Sequence, residues 1–250
     1  KLEIHPQIFR VGEFKSAVEP FLREEMSEEN RAQLSALAND IYSYMLSEIS
    51  ETRGIEKQRL EEISDQMLVR NANDAVELGL VDSLLYRDQF IAKLKERLDL
   101  EEDKDVKFVK YNEYRKSFST YKSSDNEIAV IVADGTIMPG DGNQNDQVIG
   151  AEKFMKEIRK AREDDGIKAI VLRVNSPGGE FKASDMLWRE LKLATEAKPV
   201  IASMSDYAAS GGYYLSMVCD TIVAQPQTIT GSIGIFGIML DMSDFLGEKL

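Results

Sequence analysis

Two short stretches of the chain carry residue types that could do chemistry on a carbonyl group. The first is Asp206-Tyr207-Ala208-Ala209-Ser210-Gly211-Gly212-Tyr213. Ser210, between small residues after an apolar run and at the start of a helical pattern, would be accessible and close to a helix's positive end. It is not the nucleophile elbow of the α/β-hydrolases, because Ala208 replaces the first glycine of that pattern. On its own the cluster also fits close helix packing. The second stretch is Asn175-Ser176-Pro177-Gly178-Gly179. Proline stiffens a turn, and paired glycines let backbone N–H groups point outward, as an oxyanion hole requires. Alone it is equally an ordinary turn. The two loops are separated by one helix and one strand, so they end on the same edge of a sheet. Ser210 would then face N–H donors at Gly179 and Gly211.

A serine needs a base. His5 is the only histidine and sits beside Pro6, far from any supporting motif. A lysine is therefore the leading class of base. Only roughly one ordinary lysine in 2,500 is neutral at pH 7, so such a base must be desolvated. Lys15 has a suitable setting in Phe14-Lys15-Ser16-Ala17-Val18-Glu19-Pro20-Phe21, yet spacing alone does not single it out from other lysines. Cys219, the only cysteine, follows Met217 and Val218 and reads as a small buried hydrophobe.

These residues need elements to hold them. From about 27 to 98 the apolar spacing is helical: Leu34, Leu37, Ile41, Met45 and Ile49 recur at intervals of three and four, and Leu60, Ile63 and Met67 continue the pattern. Ser27 before Glu28 and Glu29 predicts an N-cap, and Gly79 a helix stop. Residues 101–126 are charged and polar, and Tyr111, Tyr114 and Tyr121 in that connector are expected to pack on something. After Glu127 the pattern changes. Strands are expected at 128–132, 169–174, 199–204 and 221–224, alternating with helices around 154–158 and 184–194. The run Ile128 to Val132 is continuously apolar, the mark of a strand buried on both faces. Alternation of this kind predicts βαβ units and a mainly parallel sheet, an α/β fold preceded by a helix-rich segment.

Composition bounds the partners. The 250 residues are 43% hydrophobic, enough for a real core, and the net charge of −13 disfavours nucleic acid. No stretch is apolar for the roughly 20 residues that span a bilayer. No cluster suggests a metal or cofactor, and Gly231 to Gly237 fails the dinucleotide pattern.

Four motifs together, Ser-Pro-Gly-Gly at 176–179, Ala-Ala-Ser-Gly-Gly-Tyr at 208–213, Thr-Gly-Ser-Ile-Gly-Ile-Phe-Gly at 230–237 and the Phe14 to Phe21 segment, resemble the signal peptide peptidase A (protease IV) family of serine peptidases. Leu78-Gly79-Leu80-Val81-Asp82 is similar to the close of that family's first repeat. The resemblance implies a crotonase (Clp protease)-like fold in tandem, with residues 1–104 as part of the first repeat, 105–126 as connector and 127–250 as the start of the second. It implies Ser210 as nucleophile, Lys15 as general base, Ser232 as the residue orienting the lysine, and Gly179 and Gly211 as oxyanion donors.

By the same resemblance the expected activity is endopeptidase cleavage of leftover signal peptides and other unfolded apolar segments, without a metal or cofactor. The family also implies a homo-oligomer, anchored in a bacterial inner membrane with its site on the periplasmic side. The chain is expected to be the central piece of a longer protein, without the family's anchor, first strands or the end of the second repeat. Two departures from the family pattern, Glu180 after the glycine pair and Ser205-Asp206 before the serine, are expected to border the cleft. A crotonase-type enzyme using the same donors on an acyl thioester, and a non-catalytic binding member, are the other two classes.

Overall fold

A computed structural model describes residues 5–118, 124–142, 147–243 and 246–247. Lys1 and Ile4, Tyr121 of the connector, and nearly all of the final stretch 244–250 lie outside the described residues. In chain order the elements are β1 (His5–Arg10), a 3-10 turn (Ser16–Phe21), α1 (Glu28–Arg53), α2 (Lys57–Asp65), α3 (Ala72–Glu77), α4 (Arg87–Arg97) and α5 (Tyr111–Ser117). Then come β2 (Glu127–Asp134), β3 (Thr136–Met138), β4 (Val148–Gly150), α6 (Ala151–Glu163), β5 (Ile167–Ser176), α7 (Phe181–Ala197) and β6 (Val200–Ala209). The series closes with α8 (Gly211–Ser216), β7 (Thr221–Val223), β8 (Ile229–Gly231) and β9 (Phe236–Asp241). Two compact units result, Lys1–Asp40 with Ser124–Leu250, and Ile41–Ser123.

The first unit is built on a parallel sheet of order β2-β5-β6-β7, with β8 also pairing β6. Burial alternates along β5 and the first half of β6, so each strand turns one row of side chains inward. Ile170, Leu172 and Val174 from β5 and Val200 and Met204 from β6 meet Ile158 of α6, Leu187 and Leu191 of α7 and Leu215 of α8. Each large aliphatic side chain buried there contributes about 1.5–3 kcal/mol. Cys219, expected to be buried, is partly buried at the margin of this cluster, and burial pushes its thiol pKa up to about 12.

The α/β class, the parallel pairing and the crossover helices match the expected pattern, and the four expected strands all form. The burial of β2 does not. Ile128, Val130 and Val132 are 58–64% exposed while Ala133 is fully buried. As an edge strand paired only to β5, with α6 contacting it on one side, β2 buries one row and leaves the other open. A continuous apolar run does not by itself say how many faces are covered.

Three pairings were not legible in the sequence. β3 and β4 form a short parallel ribbon. β1 and β9 pair antiparallel from His5 opposite Asp241 to Arg10 opposite Phe236, joining segments from opposite ends of the chain. β8 adds to the end of β6, placing Gly231 beside Ala209.

The helical region begins where expected. Ser27 accepts the Asn30 N–H on its hydroxyl at 3.1 Å, and the Arg31 N–H reaches its carbonyl at 2.9 Å. In the second unit Leu46, Leu60 and Ile63 are buried. Gly79, with φ +73°, ends α3 in a Schellman motif: its N–H reaches Val76 and that of Leu80 reaches Ala75. Within the expected connector a helix forms, α5, and its aromatics do not pack as expected. Tyr111 and Tyr114 are 73% and 57% exposed, and Tyr114 meets only the edge of Phe118 among the described rings.

Candidate active site

Ser210 stands between the end of β6 and the start of α8, at φ +51° and ψ −117°. A non-glycine residue held there costs about 1–3 kcal/mol and persists only where its surroundings enforce it. Here they do. The Ser210 N–H donates to the Gly231 carbonyl at 2.8 Å, and its carbonyl accepts the Tyr214 N–H at 2.9 Å. The Thr230 hydroxyl adds a bond to the Ala208 carbonyl at 2.8 Å. The result is a sharp strand-to-helix turn presenting the hydroxyl, reached without the first glycine of the α/β-hydrolase pattern.

The glycine loop lies alongside. Ser176, fully buried, donates to the Gly135 carbonyl at 2.6 Å and accepts the Gly178 N–H at 3.2 Å. The Ile137 N–H donates to Gly178, and the Glu180 N–H donates to Ile137, each at 2.9 Å. This stitching to β3 leaves no room for a side chain: a Cβ at Gly179 would lie 2.0 Å from the Ile137 carbonyl oxygen. One at Gly211 would lie 2.5 Å from Ser184 Oγ. The N–H groups of Gly179 and Gly211 find no acceptor among the described residues. With Ser210 they line a cavity of about 490 Å³ whose walls include Phe181, Tyr213, Tyr214, Met217, Ile233 and Ile235.

Lys15 reaches the same place from the other end of the sequence. It is the middle residue of an inverse γ-turn, φ −85° and ψ 80°, closed by the Ser16 N–H on the Phe14 carbonyl at 3.1 Å. Its Nζ lies 3.5 Å from Ser210 Oγ and donates to Ser232 twice, to the carbonyl at 2.8 Å and the hydroxyl at 3.1 Å. The residue is only 8% exposed, and no carboxylate among the described residues is bonded to it. Burial therefore lowers its pKa from the ordinary lysine value. Ser232 is itself strained, at φ +49°.

Every residue singled out from the sequence, Ser210, Lys15, Gly179, Gly211 and Ser232, thus lies in one place. His5 does not: it stands on β1 opposite Asp241 and does not line the cavity. Of the two departures, Glu180 neighbours the cavity, between Gly179 and Phe181 of its wall, without lining it. Glu180 is the N-cap of α7, accepting the N–H groups of Lys182 and Ala183. Ser205 is engaged by Arg173 at 2.9 Å and by Thr228 on its carbonyl at 2.8 Å. Neither it nor Asp206 lines the cavity. Ile137 and β9 were missed, because the bonds that matter are backbone ones and leave no side-chain signature.

A strained serine, with N–H donors and a buried lysine that have no bonded acceptor or carboxylate among the described residues, defines a site for nucleophilic chemistry. The model of peptidase family S49 matches residues 1–101 and 192–249, one stretch carrying Lys15 and the other Ser210. The chain belongs to that family. It is 42% identical over 94% of its length to "Serine protease SPPA, chloroplastic" of Arabidopsis thaliana, covering 35% of that protein. It is 37% identical over 94% of its length to "Protease 4" of Haemophilus influenzae, covering 40% of it. The chain thus spans between a third and a half of the length of these relatives. A solved structure titled a membrane-bound stomatin-specific protease superposes on 45% of the chain and 48% of its own, at 23% identity and a TM-score of 0.34.

Proposed function

We propose that the protein is a serine endopeptidase in which Ser210 is the nucleophile and Lys15 the general base. The observation that carries this reading is the 3.5 Å approach of a buried Lys15 Nζ to Ser210 Oγ, with hydroxyl and carbonyl oxygens rather than a carboxylate as its other neighbours. A carboxylate would hold the ammonium charged; desolvation favours the neutral amine that a base must be. Neutral Lys15 takes the proton of Ser210 as its oxygen attacks a peptide carbonyl. The N–H groups of Gly179 and Gly211 receive the oxyanion, each worth about 3–4 kcal/mol in comparable sites. Lys15 then protonates the leaving amine and later activates the water that clears the acyl-enzyme. Ser232 keeps the amine aimed through its two bonds.

Substrates on this reading are cleaved signal peptides and other unfolded apolar segments, for which the apolar cavity walls beside Ser210 are suited. The reading extends to two crotonase-like repeats sharing one site, a homo-oligomer, and a parent protein held at a bacterial inner membrane with the site on the periplasmic side. Among the described residues no helix is long and apolar enough to cross a membrane.

The test is cleavage of an unfolded apolar peptide by the full-length protein beside its Ser210→Ala and Lys15→Ala forms. Loss in both folded variants supports the dyad. Loss in Ser210→Ala alone moves the base elsewhere. Retained cleavage in both, or coenzyme A binding in place of cleavage, overturns the peptidase reading.

A further inference from the structure

Resting on the Ser–Lys reading, we infer that Glu19 is a positioning residue for the base: its buried carboxylate clamps the 3-10 turn that follows Lys15 to the first turn of α1, and so fixes where the amine ends.

Glu19 is 5% exposed, an unusual place for a carboxylate, and every bond it makes points away from the reacting atoms. Its Oε1 accepts the Ser27 hydroxyl at 2.5 Å, and its Oε2 accepts the Ser27 N–H at 3.3 Å and the Asn30 amide at 2.9 Å. Ser27, 2% exposed, is thereby used completely, because the same hydroxyl caps α1 by accepting the Asn30 N–H. The main chain closes on the same residue: the N–H groups of Leu22 and Arg23 both donate to the Glu19 carbonyl at 2.9 Å. Val18, the residue before it in the same turn, is fully buried.

The turn so held begins at Ser16, directly after Lys15. Lysine has four side-chain torsions and no internal means of staying put. Its two bonds to Ser232 fix the tip, but the origin of the side chain is fixed only by the γ-turn and by what holds the residues after it. A displacement of about 1 Å in such a group costs on the order of a hundredfold in rate.

The charged groups facing Glu19 are Arg10 of β1, with Nη1 at 4.0 Å, and Arg23 beyond the turn. The groups facing the Lys15 amine are uncharged, the hydroxyl and carbonyl groups of Ser210 and Ser232. The Glu19 charge is thus satisfied by α1 and arginine, and it reaches the lysine through the backbone.

The experiment measures kcat, KM and the pH profile of the full-length protein with Glu19→Gln, Ser27→Ala and Ser27→Thr, using an unfolded apolar peptide. Glu19→Gln and Ser27→Ala are expected to lower kcat at pH 7 by about tenfold or more with KM nearly unchanged. A loosened lysine regains water, so the rising limb of kcat/KM moves up by about one pH unit and the loss shrinks at high pH. The double variant is expected to be no worse than the worse single one, and Ser27→Thr, which keeps the hydroxyl, to restore activity. Folded variants that lose stability but keep the wild-type kcat and pH midpoint overturn the proposal. So does an unfolded Glu19→Gln beside a Ser27→Ala with an unchanged profile. Ser210→Ala and Lys15→Ala run alongside: if they still cleave, the dyad fails, whereas inactive dyad variants with unaltered Glu19 and Ser27 profiles sink only the positioning role.

Discussion

Lys15 and Ser232 are joined by two bonds from one nitrogen, 2.8 Å to the carbonyl and 3.1 Å to the hydroxyl. Both acceptors belong to a residue held in the left-handed region and preceded by Gly231 at φ +86°. The backbone of that turn therefore aims the amine as much as any side chain does. Removing the hydroxyl in Ser232→Ala leaves the carbonyl bond, so kcat should fall by roughly two- to tenfold, the 0.5–1.5 kcal/mol of one hydrogen bond, with KM unchanged. Steady-state kinetics on one peptide would decide it.

Lys15→Met should abolish cleavage while leaving the fold intact. It should also stabilise the protein at neutral pH. The native pKa lies below the ordinary 10.5, so between the two values the unfolded chain binds the proton that the folded one has released. Stability then rises with pH through that window, which means the charged lysine is a burden below it. Urea unfolding at pH 7 of Lys15→Met against wild type reads the sign directly.

Activity should follow the neutral amine. Cleavage rises with pH through the lowered pKa of Lys15 and levels off below the ordinary lysine range. A kcat/KM profile whose rising limb lies at or above 10.5 would contradict a desolvated base.

Gly179→Ala places a methyl 2.0 Å from a backbone oxygen that cannot yield like a side-chain tip. A stability loss of about 1–3 kcal/mol is expected, with a fall in kcat larger than any change in KM. Thermal unfolding and kinetics on the same preparation separate the two effects.

Cys219, with its thiol pushed up to about 12, is almost wholly protonated at pH 8. It should resist a disulfide reagent in the native protein and react on unfolding. Quick labelling of native protein would show that the thiol is less protected than its packing implies.

Much of the sheet was legible because β5 and β6 contain short apolar runs, Ala169 to Leu172 and Val200 to Ala202, and a run of that length marks a strand locally. Ser27 as a helix cap and Gly79 as a helix stop were legible for the same reason: cap chemistry is local. The exposure of Ile128, Val130 and Val132 was not, since it depends on which strand lies at the edge. In the site, Ser210 and the two glycines could be brought together by counting elements. Lys15 could not, because only the family resemblance, not its spacing, linked it to the serine. What makes the lysine adjacent is the pairing of β1 with β9, and backbone pairing between remote segments has no residue signature. Glu19 was hidden by its type, since a lone carboxylate in a sequence reads as surface.

The β1–β9 ribbon has a consequence for the order of events during synthesis. Lys15 and Ser210 are 195 positions apart, and bringing such distant segments together costs about 5 kcal/mol of chain entropy before any contact rewards it. β5 and β6 are neighbours in sequence and can pair without it. A nascent chain with its sheet formed and its ribbon open holds a serine with no lysine beside it. On the Ser–Lys reading such a chain is chemically idle. The molecule would then be spared from its own activity while its apolar segments are still unfolded and resemble substrate.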